Sequence, residues 1–432
     1  MKNPETDGRA SYRRRKRSQM HAEAESEAVS FSEIAEHPDV VQGKPEIITE
    51  DQALADLVDH IRATGSFAYD TEFIGEETFY PRICLVQVAT VERLALIDPT
   101  VFDHLDPIFD LVAAAEVETL VHDGAQDLEP VRRRFDREPE GIVDTQVCAA
   151  FLDMPWPSSL AKVVERFAGH RLTKGHTFTD WDARPLTDRQ IRYAADDVRF
   201  LPMVWSRIRA SLEAEGRLDW AMRECLESRR RHVGRFDSEK QVRKILKGSR
   251  LKAKSTTVLR SLVVLRHQLA EKLDLPHRVV LSDESLVDLV RNRPETDADL
   301  ERCRHLSRRT RNDHSEEILA CIAKARQEPS RPLEKRVIRE ESAEDRMRID
   351  AIWSVLSLRC LADGISPSLM SSRSELSRWY LAREAGDEPG SLFSHDSWRH
   401  DVAGAWLDAF LAGNAGLDIG WSEGRLVRRD RG

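Results

Sequence analysis

The feature that most constrains the fold is an ordered succession of strand and helix patterns between residues 45 and 215. An amphipathic stretch, EDQALADLVDHIRA, is followed by three apolar strand-like segments, SFAYDTEF, ICLVQVAT and RLALIDP, with polar turns between them. Two further strand patterns, TLVHDG and GIVDTQ, alternate with helices, and a long helix from Leu186 to about Glu215 closes the unit. This order predicts a mixed α/β sheet covered by helices.

Length and charge bound the rest of the chain. At 432 residues it exceeds what one hydrophobic core usually organises, so several domains are expected. Charged residues, 33% of the total, interrupt every apolar run, and the N-terminus lacks the apolar core of a signal peptide. We therefore expect a cytoplasmic protein with no membrane partner. The six cysteines include no C-x-x-C pair, which argues against a zinc ribbon or a disulfide framework.

Composition shifts divide the chain further. Residues 1–44 are polar and charged, with RRRKR at 13–17, and indicate a disordered tail. Beyond the α/β unit every pattern is helix or loop, and Ser282 is predicted to cap one helix. The predicted segments after the tail are the α/β domain at 45–215, a basic connector at 216–248, a helical domain at 249–328, a linker at 329–344 and a second helical domain at 345–426.

One pair of acids is distinguished by its context. The pattern D-x-E occurs five times, yet only Asp70 ends an apolar strand segment. The two-residue period of a strand points Asp70 and Glu72 to the same face, where two carboxylates repel each other unless a cation lies between them. The pair is a candidate metal site, and the alternative is two solvated acids at a strand end.

Three more candidate residues lie in the same unit. Asp127 follows the strand TLVHDG and lies in the first turn of a helix. The alternative for Asp127 is an acid that only interacts favourably with the helix dipole. Tyr193 and Asp197 lie four residues apart in one helix and so project from one face. The alternative for Tyr193 is a buried phenol whose hydroxyl is satisfied locally. These acids, all in one α/β unit, are more specific together than singly.

Three motifs among these residues resemble a known family. DTEF at 70–73, HDGAQDLE at 122–129 and YAADD at 193–197 resemble the motifs of the tyrosine-containing branch of the DEDD exonuclease superfamily, and most of all its bacterial ribonuclease D family. The resemblance implies a ribonuclease H-like α/β exonuclease domain with helices on both faces, followed by two all-α domains of the HRDC type. It also implies a 3′-to-5′ exoribonuclease that processes transfer RNA precursors with a 3′ extension, or other small RNAs.

The resemblance assigns roles residue by residue. The carboxylates that match the metal-binding positions are Asp70, Glu72, Asp127 and Asp197. They are expected to hold two divalent cations, and an all-carboxylate site favours Mg²⁺ or Mn²⁺ over zinc. Tyr193 is expected beside the attacking water, while Phe73 and His122 match positions near the terminal nucleotide. Asp196 points about 100° away from its neighbour on a helix and is not counted as a ligand.

The charge distribution bears on the partner. The net charge is −9, yet from Arg229 to Arg278 there are fifteen lysines and arginines against four acids. This basic segment predicts a surface that follows RNA phosphates, and the alternative is a solvated basic helix face. No obligate protein partner is inferred. Two rival functions remain open at this point, a DNA 3′-to-5′ exonuclease and an inactive RNA-binding protein.

Overall fold

The computed structural model describes residues 37, 40–75, 77–172, 180–232, 236–249, 251, 255–329, 340–388 and 390–429. The predicted tail with its RRRKR run lies almost entirely outside the described residues, as do residues 330–339 of the predicted linker and residues 173–179. Among the helices of the described residues, none is both long and apolar enough to span a membrane. The cytoplasmic location stays a prediction.

Within the described residues, six strands form one mixed sheet. They are β1 (Glu46–Ile48), β2 (Ser66–Ile74), β3 (Arg82–Ala89), β4 (Leu94–Ile97), β5 (Glu118–Val121) and β6 (Ile142–Asp144). Their order across the sheet is β1-β4-β3-β2-β5-β6. β2, β3 and β4 pair antiparallel, whereas β1 runs parallel to β4, and β5 and β6 continue parallel beyond β2. The predicted mixed sheet is confirmed, with the short edge strand β1 as an addition.

Helices cover both faces of this sheet. In chain order they are α1 (Asp51–Thr64), α2 (Asp106–Val112), α3 (Ala125–Arg133), α4 (Thr145–Ala149), α5 (Leu160–Ala168), α6 (Asp188–Arg199), α7 (Leu201–Ala214) and α8 (Leu218–His232). Phe67 and Tyr69 of β2 pack with α1, α2 and α3, while Ala68 between them packs with α6 and α7 on the other face. This alternation gives β2 two buried faces, as expected of a central strand.

The predicted single helix from Leu186 to Glu215 is wrong. The chain forms two helices there, α6 and α7, and Phe200 lies at the junction between them. Pro202 occupies the first turn of α7, where its missing N–H is tolerated, but it cannot donate the hydrogen bond that would continue α6. Helical periodicity on both sides of the proline therefore does not mean one continuous helix.

A first helical region follows the exonuclease-like unit. Its helices are α9 (Ser238–Gly248), α10 (Thr256–Leu273), α11 (His277–Val280), α12 (Asp283–Asn292), α13 (Asp297–Leu300) and α14 (Arg308–Gln327). The predicted Ser282 cap is confirmed, since its hydroxyl accepts a hydrogen bond from the Ser285 N–H at 3.1 Å. Val242 and Ile245 of α9, a helix of the predicted connector, are buried in the same core as the later helices.

The C-terminal region contains more than helices. Its elements are α15 (Ala343–Ala362), α16 (Pro367–Met370), α17 (Arg373–Ala385), a π-helical turn (His400–Gly404), α18 (Ala405–Leu411), β7 (Ile419–Ser422) and β8 (Arg425–Arg428). β7 and β8 form an antiparallel hairpin, so the prediction of helix and loop alone is wrong here. The turn consists of Glu423 and Gly424, both at positive φ (51° and 77°), as a tight two-residue hairpin turn requires.

Both helical regions pack against the α/β domain. Phe79, in the loop between β2 and β3, is buried in the core of the first helical region. There the Asp274 carboxylate accepts hydrogen bonds from the backbone N–H groups of Phe79 and Tyr80, at 3.1 and 3.0 Å. The C-terminal region shares a core with the α/β domain, and a buried ion pair of 2.8 Å joins Glu224 on α8 to Arg399. The α/β domain thus contacts both helical regions.

Candidate active site

Strand β2 supplies the first two carboxylates. Asp70 and Glu72 are two residues apart on the strand and share the face that carries Ala68, the face covered by α6. The pairing register with β3 shifts between Glu72 and Phe73. Such an irregularity bends the strand, here directly after the second carboxylate. The predicted same-face arrangement of the two acids follows from the strand itself.

Asp127 reaches the same place from the first turn of α3. Its carboxylate Oδ1 accepts two hydrogen bonds from Thr71, one from the backbone N–H at 3.1 Å and one from the hydroxyl at 2.6 Å. The Asp70 carboxyl is hydrogen-bonded to Asp127 as well. Thr71 therefore fixes the position of this buried carboxylate. Thr71 is not among the predicted site residues, and its place between the two acids of D-T-E is the one signal that the sequence offers for it.

Helix α6 presents the remaining two predicted residues. It begins with a capping box, in which the Thr187 hydroxyl accepts a bond from the Gln190 N–H and the Gln190 side chain accepts one from the Thr187 N–H. Tyr193 and Asp197 then project from the same face, and the Tyr193 hydroxyl donates a hydrogen bond to the Asp197 carboxylate. The Tyr193 ring lies 6.0 Å from the Trp181 ring, which supports its orientation.

The four carboxylates form one electrostatically coupled cluster. Burial, and then the charges of the three neighbouring carboxylates, hold the pKa of Asp70 well above its usual range. Burial and the charges of Asp197 and Asp127 raise the pKa of Glu72 to about 8. Burial also raises the pKa of Asp197 to about 7, although the Tyr193 hydroxyl bond opposes that rise. Burial and the same negative charges raise the pKa of Tyr193, so its phenol stays protonated at neutral pH.

Two other acids of the motifs point elsewhere. Asp196 is buried and lies 3.4 Å from the Arg199 guanidinium and 3.7 Å from that of Arg192. Arg199 in turn donates to the carbonyl oxygens of residues 41 and 43, so this acid helps to anchor the entry of the chain into the sheet. Asp123 is exposed, and its backbone N–H donates to the Asp144 carboxylate at 3.1 Å. Neither side chain joins the cluster on β2 and α6.

The two residues predicted to contact the terminal nucleotide, Phe73 and His122, lie in different surroundings. Phe73 is half-buried and comes directly after the register shift in β2, next to Glu72. Both ring nitrogens of His122 already have protein partners, Nδ1 at 3.0 Å from the Thr145 hydroxyl and Nε2 at 3.0 Å from the Ser158 carbonyl. Burial lowers the pKa of His122 to about 4, so the ring is neutral near pH 7. His122 would have to exchange these bonds to contact a nucleotide.

The donor set fits divalent cations. Neighbouring carboxylates that raise one another's pKa are unfavourable when ionised together, and a cation between them removes that cost. No three His, Cys, Asp or Glu side chains in the described part of the chain already stand in metal-ligand geometry. A closed cage is not required, because Mg²⁺ usually keeps several waters and completes its shell with substrate phosphate oxygens. An open, oxygen-rich cluster of this kind suits such an ion.

Comparison with known proteins identifies the family. Residues 45–213 match the family model of the 3′-5′ exonuclease domain, and residues 255–322 match that of the HRDC domain. Ribonuclease D of Escherichia coli K12 is 32% identical over 372 residues, which cover 85% of this chain and 98% of that protein. Ribonuclease D of Granulibacter bethesdensis is 31% identical over 393 residues, covering 89% and 96%.

The solved structures agree with the sequence comparison. The crystal structure of Escherichia coli RNase D, described as an exoribonuclease involved in structured RNA processing, matches with a TM-score of 0.71 at 30% identity. The match covers 87% of this chain and all of that one. Exonucleases of this kind depend on divalent metal ions. The chain therefore belongs to the ribonuclease D family of 3′-to-5′ exoribonucleases, with an exonuclease domain, an HRDC domain and a helical C-terminal region.

Proposed function

We propose that the chain removes nucleotides from RNA 3′ ends by two-metal hydrolysis, with transfer RNA precursors that carry a 3′ extension as the first candidate substrates. The observation that carries the proposal is the convergence of four carboxylates, one buried and three half-buried, and Tyr193 where β2, α3 and α6 meet. Carboxylate oxygens favour hard cations, which supports Mg²⁺ or Mn²⁺ as the ions used.

Each residue has a separate task in this proposal. Asp70, Glu72 and Asp197 would hold the cations, and Asp127, fixed by Thr71, would support them. When bound, the two cations activate a water and stabilise the leaving 3′ oxygen. The Tyr193 hydroxyl donates a hydrogen bond to the Asp197 carboxylate. The phenol oxygen of Tyr193 can then accept a hydrogen bond from the attacking water. Because its pKa is raised, Tyr193 orients the water and does not remove its proton.

The variant Tyr193→Phe tests that task. We expect kcat to fall by roughly 10-fold, the effect of losing one hydrogen bond of 1–1.5 kcal/mol in the transition state, with little change in KM. The measurement is the rate of nucleotide release from an end-labelled RNA. Tyr380→Phe, in the C-terminal region, is the matched control and should behave as wild type. Full activity in Tyr193→Phe would remove the phenol from the mechanism.

Removing the metal should make stability depend on pH. Folding raises the pKa of Glu72 to about 8 and of Asp197 to about 7, from ordinary values of 4.5 and 3.8. Stabilisation from the protonated carboxyls is therefore complete below those ordinary values and is lost as the pH rises through 7 to 8. We expect the thermal midpoint in EDTA to fall over this range relative to the midpoint in Mn²⁺. Parallel curves in the two conditions would argue against a metal at these carboxylates.

The basic surface next to the exonuclease domain supports RNA as the substrate. The exposed cationic side chains of α9 are Lys240, Arg243, Lys244 and Lys247. They lie on the face opposite Val242 and Ile245, which are buried in the helical core. RNA affinity should therefore fall as the salt concentration rises. For each phosphate that these side chains neutralise, the logarithm of the association constant should drop by about 0.7 per tenfold rise in salt. An RNA affinity that barely changes with salt would rule out this phosphate contact.

The decisive test is a nuclease assay on matched strands. A 3′-labelled RNA and the DNA of the same sequence are incubated with the full chain in Mg²⁺, in Mn²⁺ and in EDTA. We expect stepwise shortening of the RNA from its 3′ end in either metal and no reaction in EDTA. Faster trimming of the DNA would favour the rival exonuclease function, and binding without cleavage would favour an inactive RNA-binding protein.

A further inference from the structure

A buried glutamine lies directly beside the carboxylate cluster. Gln87 is in the middle of β3 and has no solvent exposure. Neither its amide nitrogen Nε2 nor its carbonyl oxygen Oε1 has a hydrogen-bond partner among the described residues. A buried polar group without a partner costs about 1–3 kcal/mol, so a leucine or methionine would fold more favourably at this position. The presence of a glutamine at this position therefore needs an explanation other than the stability of the sheet.

The strand register identifies what the amide faces. Gln87 pairs with Asp70 on β2 and with Leu96 on β4, and paired residues in an antiparallel sheet point to the same face. The Cβ atoms of such a pair are typically about 4.5–5.5 Å apart, which is within reach of a glutamine side chain. Two further neighbours on this face, Leu85 two residues earlier on β3 and the paired Leu96 on β4, are apolar and offer no hydrogen bond. Asp70 is thus the hydrogen-bonding group opposite Gln87.

We propose that Gln87 is a positioning residue for Asp70, whose amide N–H donates to the Asp70 carboxylate oxygen and sets its orientation toward the cation. This inference rests on the proposed metal-binding role of Asp70. Carboxylates that bind metals are themselves held by hydrogen bonds from neighbouring groups, and loss of such a partner typically lowers metal affinity or activity by about 10–100-fold. The two groups are not hydrogen-bonded in this structure, so we assign the bond to the metal-loaded protein, in which the Asp70 carboxylate is ionised.

The test separates stability from metal binding. Gln87→Met removes the amide with little change in volume, and Gln87→Leu is the second variant. For each protein we would measure the thermal midpoint in EDTA, the Mn²⁺ concentration that gives half the thermal shift, and kcat and KM on RNA. We expect a midpoint in EDTA at or above that of wild type. The Mn²⁺ requirement should rise and kcat should fall by about 10–100-fold, with KM nearly unchanged.

Thr119→Val is the matched control. The Thr119 hydroxyl is also fully buried without a partner in the described residues, but it lies on β5 opposite Phe67, on the other face of the sheet. It should change stability in EDTA in the same direction as Gln87→Met and leave Mn²⁺ binding and kcat unchanged.

Three results would overturn the inference. If wild type responds to Mn²⁺ and Gln87→Met responds equally, the inference alone fails. If both Gln87 variants are less stable than wild type in EDTA, the amide has a structural partner and its role is different. If wild type shows neither a Mn²⁺ shift nor hydrolysis, the proposed function fails first and the inference falls with it.

Discussion

Replacing Asp70 with asparagine is expected to lower the rate of RNA hydrolysis by about 10³-fold or more while the protein remains folded. Asp70 has the most neighbours in the cluster, since its pKa responds to Asp127, Asp197 and Glu72 together. Asparagine keeps the shape but removes the charge that attracts a cation, and the loss of several kcal/mol of transition-state stabilisation corresponds to this factor. The measurement is the single-turnover rate of nucleotide release at saturating enzyme.

Stability distinguishes this loss from misfolding. In the metal-free protein the ionised form of Asp70 opposes folding, because burial and its neighbours raise its pKa. Asp70→Asn should therefore have a thermal midpoint in EDTA at pH 8 that is no lower than that of wild type. The matched control is Asp136→Asn, an exposed acid in another D-x-E pattern, which should keep full activity. Near-normal trimming by Asp70→Asn would refute the metal assignment.

Glu224→Ala is expected to destabilise the protein by roughly 3–5 kcal/mol, the usual cost of leaving one buried charge without its partner. The Glu224 side chain is 1% exposed and that of Arg399 is 8% exposed. The Glu224 carboxylate accepts bonds from the Arg399 guanidinium at 2.8 and 3.1 Å and from the Trp398 indole N–H at 2.6 Å. Without it, a buried guanidinium at the junction with the C-terminal region retains mainly backbone carbonyl partners.

The measurement is urea unfolding followed by tryptophan fluorescence, to which Trp398 contributes. Glu227→Ala is the matched control, because Glu227 contacts the same Arg399 at 3.2 Å from a side chain that is 35% exposed. A partly exposed ion pair contributes about 0–1 kcal/mol, so this control should unfold close to wild type. Equal unfolding midpoints for the two variants would contradict a dominant role for the buried pair.

The parts of the fold that the sequence predicts are those with a strong local period. β2 to β6 follow from apolar segments of strand length, and Asp70 and Glu72 share a face because strand side chains alternate. The hairpin of β7 and β8 has no buried face to produce such an alternation, and Trp421 within it is 75% exposed. Gly424, which adopts the positive φ of a tight hairpin turn, is the turn signal that the sequence does contain.

The parts of the site that the sequence does not predict depend on contacts between distant segments. Asp127 is held by Thr71, 56 residues earlier in the chain, so its place after a strand makes it a candidate and motif resemblance is the main support for it from sequence. Gln87 looks like any polar residue in an apolar strand until the β2–β3 register sets it opposite Asp70. Tyr193 and Asp197 need only the spacing of one helix, which explains why their shared face was predictable.

The burial of Phe79 in the first helical region sets a limit on where this enzyme can be divided. A chain truncated after the α/β domain would expose that ring to water, a cost of about 1.5–3 kcal/mol, and would free the loop backbone that Asp274 holds. That loop begins where β2 ends, a few residues after Glu72. Domain borders drawn from sequence similarity would therefore yield a fragment that exposes an apolar ring, is less stable and has a less ordered loop next to the strand that carries Asp70 and Glu72.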